Sequence, residues 1–453
     1  MSGLLISMFV PDDHPLIRLL LALDWETIKA VMVKYWRAAG KNVDGGRGLR
    51  WPTELYVPLL VLMWVKAYHS RQMEEYIMES VVARRFLGLE GVTELRPIRD
   101  HSSIARAEEA LGAEGRAEIN ALVIETARKC GYTDGRILSS DTTVQEPAIG
   151  YPNEPGILKG MAERIERAMK KLRDRGLKGA EAGIEKAKEI YQQVKEHHLF
   201  AETTEEKTRI LKRIVKRSEE LIGITKEVIA QVGKRCGRVK LGAAEKLKRM
   251  VEVSETLLPQ IKGWMKTGRV AAEKIIHVGI TEARAIVKGR GKRQIKFGLK
   301  WLIHRVRGGY VFGKRVAARA DENKMPIEGL KDYQTVFGEG EAPEMIVYDR
   351  GASLSVVEEK LKEGGVKKVG IPPRGKGRWR VSKQDREVVK SERGKTEGVI
   401  GRLKSRKYGF SRRQERSVQT QEGVGQRAMV SANLKTLMRD LTAPSATTGR
   451  ARA

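Results

Sequence analysis

The chain has 453 residues, with 87 Lys and Arg against 57 Asp and Glu, a formal charge of +30. At about 100–200 residues per domain, two to four domains are expected, and a hydrophobic content of 41% supplies enough core to exclude wholesale disorder. An aromatic content of 6% argues against an all-β sandwich, and Cys130 and Cys236 make no paired motif for disulfides or zinc.

Such a basic surplus suits a polyanionic partner, because each phosphate neutralised by Lys or Arg releases condensed counterions. The amino terminus, MSGLLISMFVPDD, lacks a basic leader and a small-residue cleavage site, so export is not expected. The most apolar run, Leu55 to Val65, is about half of the ~20 residues that a membrane span needs. It reads as a buried helix in a cytoplasmic protein.

Residues 1–130 are predicted to be helical. Asp24 caps DWETIKAVMVKYW, where Ile28, Val31, Met32 and Tyr35 recur at helical spacing. Ser70 is the expected N-cap of RQMEEYIMESVVARRFLGL, and Ser102 or Ser103 that of SIARAEEALG. From Gly131 the texture changes: GRILSSDTTVQEP is rich in β-branched residues and predicts a strand, and YPNEPG at 151–156 predicts a loop. A long helical stretch, about 157–275, follows. Its apolar stripes are Met161, Ile165, Met169 and Leu172; then Ile184, Ala187, Tyr191 and Val194; then Ile210, Ile214, Leu221, Val228 and Val232. Charged opposite faces suggest antiparallel hairpins, with turns at Gly176, Gly179 and Gly233–Gly242.

Strand character returns near 285. AIVKGRGKRQIKFGLKWLIHRVRGGYVFGKRV predicts two or three strands with a hairpin at Gly308-Gly309, and Trp301 is a core candidate. PIEGLKDYQTVFG is a helix, EMIVYDRG a buried parallel strand, ASLSVVEEKLKEGG a helix with a Gly stop, and VKKVGIPP a further strand. That order makes a βαβ unit. A helix from TEGVIGRLKSRKYG onward and another at 424–440 close the fold, and LTAPSATTGRARA reads as a disordered tail.

Two strands carry an aspartate in apolar surroundings, Asp141 in ILSSDTT and Asp349 in MIVYDRG. A buried carboxylate costs several kcal/mol unless it is paired or binds a metal. On a helical wheel Arg393 and Lys404 fall within about 40° of Glu397, with Val399, Ile400 and Leu403 supplying the opposite, buried side. A solvated Arg–Glu pair is the bland alternative, and Gly394 and Gly398 suggest that the helix starts only after Arg393. Three converging acids would hold two divalent cations of the oxygen-loving Mg²⁺ or Mn²⁺ type. Two such ions, about 3.5–4 Å apart, clamp the attacking and leaving oxygens of a phosphodiester displacement.

These segments resemble the DDE transposases of bacterial insertion sequences. DTTVQEPAIGYPNEPGIL is similar to the first-Asp motif, IVYDRG to the second, and Arg393, Glu397 and Lys404 to the R-x3-E-x6-K signature; Lys390 stands where members usually carry Tyr. The resemblance implies an α/β fold with large α content. A mixed RNase H-like sheet flanked by helices would occupy 131–160 and 276–440, preceded by an N-terminal helical domain over 1–130. A helical insertion over 161–275 would lie between the first two core strands, and 441–453 would be a tail.

The resemblance further implies that Asp141, Asp349 and Glu397 are catalytic and hold the two metal ions. Arg393, Lys404, Lys390 and Arg402 would contact DNA, Trp379 would either stack on a displaced base or pack as a loop aromatic, and Thr143 would line the site. The partners would be double-stranded DNA at element ends and target, handled by a homodimer at the bacterial nucleoid without a membrane. The reaction would be metal-dependent hydrolysis at the element ends followed by strand transfer. The separation of 48 positions from Asp349 to Glu397 leaves no room for a large insertion there.

Two other classes compete. His304-Arg305-Val306-Arg307 with Tyr333 matches a tyrosine-recombinase pattern, although its strand context is wrong. A non-enzymatic basic DNA-binding protein derived from a transposase would need none of the acids. A nuclease with the same core is not separable from a transposase by sequence.

Overall fold

The computed structural model describes residues 10–43, 53–89, 100–232, 237–288, 294–373, 377–411 and 417–443. Cys236, the 233–236 part of the expected turn and the tail from 444 lie outside them. The chain divides into two units. One comprises Met1–Pro147, Lys300–Glu415 and Gln419–Ala453; the other comprises Ala148–Leu299 with Arg416–Val418.

The first unit opens with seven helices: α1 (Pro15–Ala22), α2 (Trp25–Ala38), α3 (Thr53–Lys66), α4 (Ser70–Glu79), α5 (Val81–Phe86), α6 (His101–Ala110) and α7 (Gly112–Lys129). Asp24 caps α2 as expected, its carboxylate accepting from the Thr27 amide. The Leu55–Val65 run lies inside α3, with all but one of its residues from Tyr56 onward fully buried. Two caps differ from the reading above. His69, not Ser70, caps α4 through a reciprocal box with Gln72, because an imidazole nitrogen accepts as well as a hydroxyl oxygen does. Ser80 then caps α5, breaking one expected helix into two. Asp100 rather than Ser102 or Ser103 caps α6.

The sheet comes next: β1 (Ile137–Gln145), β3 (Gln294–Val306), β4 (Val311–Val316), β5 (Met345–Val347) and β6 (Lys368–Gly370). In space the order is β4-β3-β1-β5-β6. β3 and β4 form the expected antiparallel hairpin, in which Gly308 and Gly309 both adopt positive φ. β1, β5 and β6 run parallel, joined as a βαβ unit through α13 (Leu354–Glu363). One face of the sheet, carrying Leu138, Leu302, Ile346 and Tyr348, shares a single core with α1–α7, α12 (Met325–Phe337) and α13. On the other face Met345 and Val347 pack against Val389 of α14 (Lys383–Leu403). α15 (Val418–Thr442) completes the unit; the helix expected at 424–440 is thus longer at both ends.

The second unit contains four long helices, α8 (Glu154–Arg173), α9 (Ala180–Leu199), α10 (Thr204–Gln231) and α11 (Arg238–Thr267). Every named stripe residue faces their common core, Tyr191 and Val232 only partly. The expected loop 151–156 gives way halfway: Asn153 caps α8, and Pro155 sits in its first turn, where a missing N–H costs nothing. Gly242 lies within α11 rather than in a turn. β2 (Arg284–Lys288) pairs with the first residues of β3. No helix among the described residues is long and apolar enough to cross a membrane.

Candidate functional site

Alternation along β1 puts Ser139, Asp141, Thr143 and Gln145 on one face of the sheet. α14 lies over that face. The Thr396 hydroxyl donates to Ser139 Oγ at 2.8 Å, and Ser139 Oγ lies 3.4 Å from the Glu392 carbonyl. Further along, Lys404 Nζ stands 4.0 Å from Glu146, just past the end of β1. Helix and strand therefore run in the same direction, and Asp141 falls between the two anchor points. Glu397 follows Thr396 directly.

The parallel register sets the other acid. Ile137 pairs with Met345, Leu138 with Ile346 and Ser139 with Val347. The pairing ends there, so Asp141 lies two residues further along β1 and Asp349 two residues past the end of β5. Asp349 Oδ1 accepts from the Gly351 amide at 2.7 Å in the turn that follows β5. A Cβ at Gly351 would fall 2.7 Å from that oxygen, so a larger residue there would have to displace the Asp349 carboxylate. Tyr348 points to the opposite face and donates to Glu322 at 2.6 Å. Burial, then Glu322, then Asp349 and Asp141 hold its phenol well above the ordinary value. Both aspartates are thus felt at one buried point.

α14 starts at Lys383, capped by Ser382, so Arg393 lies mid-helix and neither Gly394 nor Gly398 breaks it. Its buried stripe is Val389, Glu392, Thr396, Ile400 and Leu403. At about 100° per residue, Lys390, Arg393, Glu397 and Lys404 form a strip flanking that stripe, not opposite it. Val399 is only half-buried. The Glu397 carboxylate is 64% exposed and lies 3.9 Å from Arg393. Lys390 is exposed and pairs with Glu387 at 2.8 Å. Arg402 lies on the other flank, with Nε and Nη2 lacking hydrogen-bond partners among the described residues. Trp379 packs against the Met345–Val347–Val389 cluster with Arg386 near its ring.

The structure therefore places Asp141 on β1, Asp349 just past the end of the neighbouring β5, and Glu397 on the helix over the Asp141 face, with its carboxylate toward solvent. Among the described residues no group of three or more His, Cys, Asp or Glu stands ready to hold a metal ion. The donors available on this face are carboxylate oxygens, the set that a hard divalent cation prefers over nitrogen or sulfur ligands.

Sequence reading missed several partners. Glu392 is buried against Arg305 of β3 and pairs with Lys395 at 2.9 Å. Its i, i+4 relation to Thr396 was a visible signal that both share the buried stripe. On the opposite face of the sheet, His304 bridges Ser140 at 2.8 Å and Asp332 at 3.0 Å. Burial raises the Asp332 carboxyl, but hydrogen bonds from His304 and Lys314 outweigh it and hold the group below its ordinary value. His304 is thus fully engaged inside the protein, and Tyr333 is buried against Phe337. Both side chains are buried in the core, which leaves the recombinase pattern without an exposed tyrosine nucleophile.

Residues 5–110, which include α1–α6, match the family model described as Transposase domain (DUF772). Neither the curated proteins nor the solved structures contain a match to the chain.

Proposed function

We propose that the chain is a DNA transposase of the DDE type, with Asp141, Asp349 and Glu397 as its catalytic carboxylates. The observation that carries this reading is that β1 and β5 are adjacent parallel strands, with Asp141 on β1 two residues beyond their last pair and Asp349 two residues past the end of β5. Three further features support it. Residues 5–110 match a transposase domain. The strand order β4-β3-β1-β5-β6, with three strands in sequence followed by two parallel ones, suits an RNase H-like core. Glu397 sits on a helix pinned to the Asp-bearing face through Thr396 and Ser139.

In this reading Asp141 and Asp349 would hold Mg²⁺ or Mn²⁺, with Glu397 as the third carboxylate. Bound divalent ions supply Lewis-acid polarisation of the phosphodiester and a nucleophilic water at neutral pH. Arg393 and Lys404, on the same strip as Glu397, position phosphate oxygens; Lys390 and Arg402 add charge along the backbone. Water attack at an element end breaks the P–O3′ bond and leaves a 3′-hydroxyl and a 5′-phosphate. That hydroxyl then attacks a target phosphodiester, exchanging one diester bond for another without an external energy source. Joining two ends calls for two such sites, so a dimer on DNA is part of the proposal.

The test uses the full chain and a supercoiled plasmid carrying the gene with its flanking DNA. Strand cleavage is expected with Mg²⁺ or Mn²⁺ and not with chelator. Asp349→Ala is expected to fall to the metal-free background while still binding DNA. Undiminished cleavage by that variant would remove the assignment. The solvent-facing Glu397 favours a second reading, a DNA-binding protein without catalysis, and the same assay separates the two: wild type that binds and never cleaves supports it.

A further inference from the structure

Within the second unit, β2 and the start of β3 form a two-stranded antiparallel ribbon in which Val287 pairs with Ile295 and Ala285 with Phe297. Paired residues share a side, so these four make one face of the ribbon. That face is open to solvent: Val287 is 58% and Ile295 55% exposed. Further along it, the Phe297 ring meets Tyr151 edge-on at 5.7 Å, and Tyr151 is itself 81% exposed. A bare rung of β-branched residues on a ribbon is a liability unless a partner covers it.

Charge indicates which partner. In sequence, residues 284–296 carry six Lys and Arg and no Asp or Glu, and Arg284 among them pairs with Glu273 at 2.7 Å. A second copy of the ribbon would set like charges against each other, whereas a polyanion gains at every phosphate it meets. Shape agrees, since the major groove of duplex DNA, about 12 Å wide, admits a two-stranded ribbon and offers thymine methyls to apolar side chains. We propose that the β2–β3 ribbon is a DNA-binding arm that lies in the major groove with the Val287–Ile295 rung toward the base edges. The arm rests on the nucleic-acid reading above but not on the carboxylates, so it is tested by binding alone.

The experiment measures affinity of the full chain for a labelled random-sequence duplex in chelator, over a range of salt. Val287→Glu with Ile295→Glu is expected to weaken binding by about tenfold or more, since carboxylates would face the polyanion. Val287→Thr with Ile295→Thr keeps strand propensity and charge. It is expected to weaken binding a few-fold with an unchanged salt slope, because no phosphate contact is lost. Asp349→Ala is expected to bind as wild type, which keeps failure of the cleavage reading distinct from failure of this one. Wild-type affinity in a correctly melting glutamate pair would overturn the arm. If the glutamates disturb folding, wild-type affinity in the threonine pair overturns it instead. Self-association that the glutamate pair abolishes, with DNA affinity intact, would assign the face to a second copy and overturn it equally.

Discussion

Five residues apart on α14, Glu392 and Glu397 occupy opposite electrostatic settings. Glu392 is buried between Arg305 and Lys395, so its carboxylate neutralises an arginine that is itself buried. Removing one partner of a buried pair costs about 3–5 kcal/mol, because the other charge is left uncompensated. Glu392→Ala is therefore expected to lower the unfolding free energy by about that amount in chemical denaturation. Glu397 makes one long, exposed contact with Arg393, a pair worth at most about 0.5 kcal/mol. Glu397→Gln is expected to melt as wild type and to lose metal-dependent cleavage. The reverse pattern, a stable Glu392 variant without cleavage beside an active Glu397 variant, would move the third carboxylate to Glu392.

At the scale of elements, helix boundaries are set by caps as much as by apolar stripes. α9 and α10 are separated by only four residues without Gly or Pro, yet the break is sharp. Thr203 Oγ1 accepts from the Glu206 amide at 3.1 Å, and Glu206 accepts from the Thr203 and Glu202 amides at 3.2 and 3.0 Å. Those amides hold the Glu206 carboxyl below its ordinary value. Its share of the box is thus present at neutral pH and lost as pH falls through the lowered value. Thr203→Ala is expected to cost about 1 kcal/mol, seen as a shifted urea midpoint with unchanged slope. An unmoved midpoint would mean that helix packing alone fixes the boundary.

The Thr-x-x-Glu spacing of this box was legible in the sequence, as was Ser382-x-x-Asp385 at the true start of α14. Both were hidden by stronger cues, a continuous stripe in one case and two glycines in the other. β1, β5 and β6 were legible because buried parallel strands concentrate β-branched residues between turn signals. What local pattern could not give was register. Asp141 and Asp349 each read as a strand aspartate, yet only Asp141 lies on a strand, and the parallel pairing of β1 with β5 joins segments two hundred residues apart in sequence. The ribbon face was hidden for the same reason, since Val287 and Ile295 look like ordinary strand residues until their exposure is known.

For the molecule as a whole, each unit has an apolar core of its own. Two cores of different kind, one under a mixed sheet and one inside four helices of 20–30 residues, have no reason to melt at one denaturant concentration. The tryptophans provide the means to tell. Six of the seven fall in the unit that contains the sheet, and Trp264 alone lies in the other. Tryptophan emission therefore reports mainly on the sheet unit, while far-UV circular dichroism takes a large share of its signal from the long helices. The two signals are expected to give displaced denaturation curves, and Trp264→Phe is expected to leave the fluorescence curve in place. Superimposable curves, with equal midpoints and slopes in wild type and variant, would mean that one cooperative transition joins both cores. A single unfolding free energy would then describe the chain, and the cost of Glu392→Ala would be read from either signal; with displaced curves it belongs to the fluorescence transition alone.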